Sequence, residues 1–568
     1  MDISPYDAIV VGSGATGGIA ALTLAEQGIK VLVIEAGPQV KRHEASNHEP
    51  KSTLKRLSGV LTKKHANQCQ HPGYWKNNPD LYSNELKHPY DFPKKKPFLW
   101  TQGKQYGGRS LTWGGITLRL SSEDFHPAKK DGFGPNWPIS YEEISPHYDF
   151  IENFCGIYGR KDDIKEVPNG KYIGEIPLTE NENVFGSKVK SKLNYPFIQS
   201  RGFDRNSSVK EKNWPKSSSV GSSLKKALDT GNVQIISNYL VESFEINKIT
   251  ELASKLTIVN LENGHKEVLD CDLILLCAST ISTLRILLNS EYKSNSSGFK
   301  DNSGKLGKYL MDHISICRFF SVPKAKNSDK SLDNPPDLSG AGSFFIPFGS
   351  NLPEIDDINF HRGYGIWGAI DRLGIPKFLQ KDANKSIGFL IAHGEVLPRE
   401  KNSVSLSRKT DEWGIPIPYI EFEWSENELN MAKHMEKTIQ KSVKAANGKI
   451  KNIDELMNIP LGSLFTKNLI ALSDSPPPPG YYIHEVGGAP MGLNEENSVV
   501  DKFNRLWRCK NVLVLDGACW PTSSWQSPTL TMMALSRRAC LNICLLYTSR
   551  AHETGRNLVC RLLLEKKK

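Results

Sequence analysis

Near the start of the chain an apolar run, Ala8 to Val11, breaks at Gly12-Ser-Gly14-Ala-Thr-Gly17 and resumes as an Ala/Leu-rich stretch from Ile19 to Glu26. A strand, a turn with three spaced glycines and a helix can be assembled in few ways. Gly12 allows the tight turn, Gly14 lets the backbone approach a pyrophosphate, and Gly17 lets helix and strand pack closely. The pyrophosphate then sits on the helix N-terminus, where unpaired N–H groups and the helix dipole favour an anion. A second strand, Lys30 to Glu35, ends in an acid about 20 residues on, the spacing at which a carboxylate meets an adenosine ribose. These residues predict an α/β, Rossmann-like start and a bound dinucleotide, with Glu35 on the ribose. They do not separate FAD from NAD.

Other segments do. They are Tyr106-Gly-Gly-Arg-Ser-Leu-Thr-Trp-Gly-Gly115, Leu273-Ile-Leu-Leu-Cys-Ala-Ser-Thr280, Gly307-Lys-Tyr-Leu-Met-Asp-His313, Ile483-His-Glu-Val-Gly-Gly-Ala-Pro-Met-Gly492, Asn511-Val-Leu-Val-Leu-Asp-Gly-Ala518 and Ser527-Pro-Thr-Leu-Thr-Met-Met-Ala534. In this order they resemble the glucose-methanol-choline (GMC) oxidoreductases from Tyr6 to about Ile543. The resemblance implies FAD and an enzyme acting on CH–OH groups. The stretch from Asp131 to Tyr148 and the Gln526-Ser-Pro-Thr ending are similar to a bacterial branch of sugar and glycoside dehydrogenases. A sugar, glycoside or polyol secondary alcohol is then the expected donor.

Oxidising an alcohol through a flavin needs a base for the hydroxyl proton and a fixed geometry that delivers the carbon-bound hydride to flavin N5. The resemblance makes His484 that base, since the matching family histidine faces the flavin. Its second active-site position, usually Asn or His, falls on Ser527. Serine has a shorter reach and cannot share basic duty. Ser527-Pro528 also looks like a helix start, Ser at the N-cap and Pro in the first turn, with the positive end of the helix towards the flavin. His313 is expected at the domain interface. The resemblance further places Gly107, Gly108, Thr112, Val241, Ala278, Asp516, Gly517 and Thr529 on the cofactor. Val241, Asp516 and Gly517 read equally well as ordinary strand-end residues. Thr112 stands where pyranose oxidase relatives carry a histidine bonded to FAD, so FAD is expected to be non-covalent.

Composition excludes more than it identifies. A chain of 568 residues with 38% hydrophobic content is long for one domain and can bury a sizeable core. No apolar run is long enough to span a bilayer, and the first strand leaves no room for a signal peptide. The expected location is cytoplasmic, with a membrane-peripheral position left open. The net charge of +10 lies in loops such as Lys94 to Lys96 and Lys210 to Lys212 without interleaved aromatics, which points away from nucleic acid. The ten cysteines include no Cys-x-x-Cys pair, and none falls between Cys155 and Cys271. That spacing excludes the mid-chain iron–sulfur cluster of some membrane-linked relatives, and no metal site is expected. Electrons are expected to leave to an external acceptor, a quinone, cytochrome or carrier protein, with a partner subunit left open.

The FAD-binding domain is expected to be discontinuous, residues 1–125, 218–310 and 484–543. Residues 126–217 and 311–483 would form an α+β substrate-binding domain on an antiparallel sheet, where Phe344, Phe345, Phe348, Tyr364 and Trp367 gather. Strands are predicted at Leu256 to Val259 and Leu273 to Leu276, and a helix over Thr280 to Leu288. Residues 544–568 look like translated sequencing adapter. Cys544-Leu-Leu-Tyr-Thr-Ser549 matches a transposase end codon by codon, later residues match the adapter that follows, and the terminal lysines match a poly-A run. They are left out of the fold expectation as a non-native tail. Two competing readings are an NAD-linked dehydrogenase, which has no use for Tyr106 to Gly115, and a redox-idle or lyase-type flavin-binding homologue, which Ser527 favours.

Overall fold

The computed structural model describes residues 5–45, 51–203, 214–293, 299–326, 342–348, 358–373, 377–458 and 475–551. The N-terminal strand Ala8–Val11 sits in the middle of a six-stranded sheet. Its spatial order is Arg505–Leu506, Cys509–Val514, Ile274–Leu276, Ala8–Val11, Val31–Glu35 and Val233–Ser237. All pairings are parallel except that of the short Arg505–Leu506 edge. Ile9, Val10, Leu32, Val33 and Ile274 to Leu276 are at most 1% exposed, the continuous apolar signature of strands covered on both faces. Helix Ala15–Ala25 packs against Ser223–Asp229 and against the C-terminal helix Thr529–Ala551. A three-stranded antiparallel sheet, Tyr239–Ile246, Ala253–Asn260 and Lys266–Asp270, lies against helix Thr280–Lys293.

A second six-stranded sheet is antiparallel throughout, in the order Lys449–Ile450, Ile314–Pro323, Lys385–Gly394, Tyr364–Ile370, Phe344–Phe348 and Ile198–Gln199. One face is covered by helices Glu180–Leu193 and Glu426–Ala445 through Ile316, Phe320, Phe344, Ile366, Leu390, Met431 and Met435. Both helices open with a capping box, Thr179 with Glu182 and Ser425 with Glu428, which satisfies N-terminal amides reciprocally. Phe344, Phe345 and Tyr364 are core residues, whereas Trp367 faces a cavity. The side chain of Phe348 lies outside the described residues.

Two expectations shift. Helix Thr529–Ala551 begins one residue later than the Ser-Pro signature suggests. The Pro528 carbonyl accepts from the Met532 amide at 3.0 Å, so Pro528 takes the cap position and Ser527 precedes it. Proline fits there because a cap needs its carbonyl but not its N–H. The same helix continues past Ile543, with Cys544 3% exposed against Cys540 and Ala539. The proposed adapter boundary therefore falls inside a helix. Residues 552–568 lie outside the described residues.

Candidate active site

A cavity of about 740 Å³ runs from the first glycine turn to the exposed face of the antiparallel sheet. Its nucleotide end is built on three glycine approaches. Gly12 has φ +100°, and a Cβ there would lie 2.5 Å from the Cys277 carbonyl oxygen. A Cβ on Gly17 would lie 1.9 Å from the Gly12 oxygen, whereas one on Gly14 would meet nothing within 4 Å. Gly14 caps helix Ala15–Ala25 without a side-chain cap, so the first amides of that helix face open space. Gly108 closes the other side, its Cβ position 3.3 Å from the Gly14 Cα. This cradle fits a pyrophosphate in size and in sign.

Ser13 ties the cradle together. Its Oγ donates to Glu35 Oε2 at 2.6 Å and accepts from the Gly107 amide at 2.8 Å, and its amide donates to the same Oε2 at 3.0 Å. The Gly37 amide donates to Oε1 at 2.8 Å. A carboxylate has about four acceptor positions, so one on Oε1 is left for a ribose hydroxyl. Burial raises the Glu35 carboxyl above its ordinary value, and these hydrogen bonds offset part of the rise. Val241 and Ala278 line the same end. Gly17 and Gly107 support the cradle from behind without lining the cavity.

Towards the middle, Arg109 donates to Glu485 Oε2 from both terminal nitrogens, at 3.1 and 3.2 Å, and to Ser279 Oγ at 2.9 Å. Glu485 is 3% exposed and its Oε1 is buried without a partner among the described residues, as a site shaped for a further polar group would leave it. Asp516 accepts from Thr283 Oγ1 at 2.6 Å and from the Ala518 amide at 3.0 Å, and burial pushes its carboxyl up to about 6. A Cβ on Gly517 would lie 2.6 Å from Thr280 Oγ1, so only glycine lets that turn pack here. Thr112, Thr529 and Ser527 also line the cavity.

The other end of the cavity is organised around His484. The preceding residue, Ile483, has φ +66°, a left-handed conformation that a β-branched residue adopts at a cost of roughly 1–3 kcal/mol. Asp312 holds it there. Its Oδ2 accepts from the Gly480 amide at 2.8 Å and its Oδ1 from the His484 amide at 2.9 Å, so one carboxylate closes the turn from both ends. Burial raises the Asp312 carboxyl, and the charge of Glu485 adds to the rise. Removing this clamp by Asp312→Ala is expected to cost on the order of 2 kcal/mol in denaturant unfolding, because one buried and one partly buried amide lose their acceptor.

His313, expected at the domain interface, lies against His484. Its Nδ1 is 2.9 Å from His484 Nδ1. His393 stacks on His313, and Tyr482 stacks on His393 at 4.8 Å between ring centres. Burial lowers the His484 pKa well below its ordinary value, and His313, His393 and Arg109 lower it further. The imidazole is therefore neutral, as a proton acceptor must be.

Across the cavity, the antiparallel sheet presents alternate residues, Ser315, Cys317 and Phe319, Ile391 and Phe389, and Trp367. In register, Cys317 is opposite Ile391, which is opposite Trp367, while Phe319 is opposite Phe389. The wall is polar beside the histidines and apolar beyond them. Among the described residues no group of three or more His, Cys, Asp or Glu could hold a metal ion. No described helix is long and apolar enough to cross a membrane.

The structure thus brings His484, Ser527, Gly12, Gly14, Glu35, Gly108, Thr112, Val241, Ala278, Asp516, Gly517 and Thr529 to one cavity. Sequence reading missed Ser13, Arg109, Asp312 and Glu485. Arg109 and Glu485 stood inside quoted motifs, and their opposite charges were the available signal.

Residues 398–536 match the GMC oxidoreductase C-terminal family, described as GMC oxidoreductase, and residues 7–46 match an FAD binding domain. Two of the relatives that span nearly the whole chain are dehydrogenases by name. The 2-methyl-1,2-propanediol dehydrogenase of Mycolicibacterium austroafricanum is 25% identical, over 94% of both chains. The fructose dehydrogenase large subunit of Gluconobacter japonicus is also 25% identical, over 94% of this chain and 96% of its own. Among solved structures, pyridoxine 4-oxidase from Mesorbium loti superimposes with a TM-score of 0.61 at 15% identity, covering 97% of this chain and 100% of its own. That last likeness concerns the fold.

Proposed function

We propose that this chain, an FAD-dependent GMC oxidoreductase, oxidises the secondary alcohol of a neutral sugar, glycoside or polyol, with His484 taking the hydroxyl proton. The observation that carries the reading is that the clamped His484 turn and the glycine cradle open into one cavity. When bound, FAD supplies an acceptor for the hydride leaving the alcohol carbon. Gly12, Gly14, Gly108 and the helix at Ala15 would hold its pyrophosphate, Glu35 its ribose, and Arg109, Asp516 and Thr529 the flavin-proximal part. The chain's own groups do the rest. His484 accepts the proton, Asp312 fixes the backbone that carries it, and Ser527 offers one hydrogen bond to the substrate oxygen. The apolar wall of Cys317, Ile391, Trp367 and Phe389 keeps water from the reacting carbon and receives the less polar face of the substrate.

Two named relatives, a diol dehydrogenase and a fructose dehydrogenase, support a CH–OH donor, and we follow their names, over those of the oxidases among the other relatives, in choosing a dehydrogenase's electron acceptor. We take that acceptor to be a quinone, cytochrome or carrier protein, and FAD to be non-covalent because Thr112 offers no bonding nitrogen.

An anaerobic absorbance titration against free sugars, glycosides and polyols tests the reading. Bleaching of the oxidised flavin band by one class supports it. A flavin that stays oxidised with every compound overturns it in favour of the redox-idle or lyase-type homologue. Acid precipitation of the same preparation should release the flavin into solution. Because the His484 imidazole is held neutral, the flavin-reduction rate is expected to be flat from about pH 6 to about pH 9. A limb with a midpoint near the ordinary histidine value of about 6.5 would contradict that neutral state.

A further inference from the structure

We infer that His313 fixes the tautomer of His484, so that the nitrogen left bare is the one that opens to the cavity. This rests on His484 being the base of the reaction proposed above. His313 Nε2 lies 2.5 Å from the carbonyl oxygen of Ser524. A carbonyl oxygen only accepts, so Nε2 carries the hydrogen. Burial keeps the His313 ring neutral, its pKa lowered to about 4, and a neutral ring protonated at Nε2 has a bare Nδ1. That bare nitrogen faces His484 Nδ1 at 2.9 Å. Only one assignment makes this contact a hydrogen bond: His484 donates its Nδ1–H, and its Nε2 is left as a lone pair. The opposite assignment would set a bare His313 Nε2 against the Ser524 oxygen, two acceptors at 2.5 Å.

The ring that reads the tautomer is itself held. His393 stacks on His313 with ring centres 5.4 Å apart, and the His313 and His484 planes cross at 83°. The Met311-Asp312-His313 run therefore acts twice on one residue. Asp312 positions the His484 main chain, and His313 positions the proton on its ring. His313 is a positioning residue, since it acts through His484 and not on the substrate. An imidazole in the wrong tautomer presents an N–H where a proton must be accepted, which in the serine protease triad costs about 10⁴-fold.

The test is nitrogen-15 NMR of the FAD-loaded protein labelled at histidine, with His484→Ala identifying the His484 signals. Wild type should show a protonated Nδ1 and a bare Nε2 at His484. His313→Leu, which offers no acceptor, should mix the two tautomers and lower kcat for flavin reduction on the order of 10²-fold with KM little changed. His313→Asn, whose amide oxygen replaces the Nδ1 acceptor, should restore the wild-type tautomer and most of the rate. A His484 signal with Nε2 protonated in the wild type overturns the inference, and so does an unchanged tautomer in His313→Leu. If the tautomer follows this pattern while no alcohol bleaches the flavin, the inference stands and the proposed reaction falls.

Discussion

His484→Ala is expected to slow substrate-driven bleaching of the flavin by roughly 10²–10⁴-fold, while the protein still purifies with its full complement of FAD. The two halves of that result have separate causes. The rate falls because the proposed proton acceptor is lost, and Ser527 cannot take up a proton at neutral pH. The cofactor stays because Asp312 grips His484 through its main-chain amide, which the substitution keeps. Gly12, Gly14 and Glu35 lie at the far end of the cavity. The check is stopped-flow absorbance under anaerobic conditions, with flavin content measured on the same sample. An alanine variant that bleaches at the wild-type rate would remove His484 from the chemistry.

The second large effect separates two glycines that look alike in the fingerprint. Gly14 has φ −70° and ψ −161°, a conformation open to any residue, and nothing within 4 Å of its Cβ position. Gly14→Glu should therefore fold as the wild-type apoprotein does and bind no FAD, since its carboxylate occupies and repels the pyrophosphate site. Gly17→Ala should fail earlier. Its Cβ would lie 1.9 Å from the Gly12 oxygen, so helix Ala15–Ala25 must move off the strand it covers, at a cost on the order of 3 kcal/mol. Thermal unfolding compared with wild-type protein stripped of FAD distinguishes the two, because lost cofactor alone already lowers the apparent midpoint. Wild-type flavin content in Gly14→Glu would mean that the cradle holds something else.

These two sites mark where the sequence was readable. The glycine turn is legible because its requirements are local: a positive φ at Gly12, a close packing at Gly17 and an acid at the end of the next strand. The helix at Thr280 and the strands around it are equally local in their apolar pattern. The setting of His484 is not local. Asp312 and His313 reach it across 172 and 171 positions, and nothing near Ile483 announces that a β-branched residue will be held at positive φ. The sheet wall of the cavity was hidden for a different reason. Strands such as Lys385–Gly394 are apolar on both faces, because one face meets helices and the other meets the cavity, so alternation gives no sign of which side is which. The cap at Pro528 was missed by one position because Ser-Pro fits a helix start in either register.

The strand order of the parallel sheet has a consequence for how the protein is made. Ala8–Val11 leaves the ribosome well before its sheet neighbour Ile274–Leu276 and the next strand, Cys509–Val514, which come hundreds of residues later. At about 5–20 residues per second, the wait for the last strand is on the order of 25–100 s. Through that interval the glycine turn exists without its opposite wall, and an apolar edge is open to wrong partners. Cofactor capture is then a late event in biosynthesis, and flavin supply during expression bears on the yield of folded protein as well as on its colour.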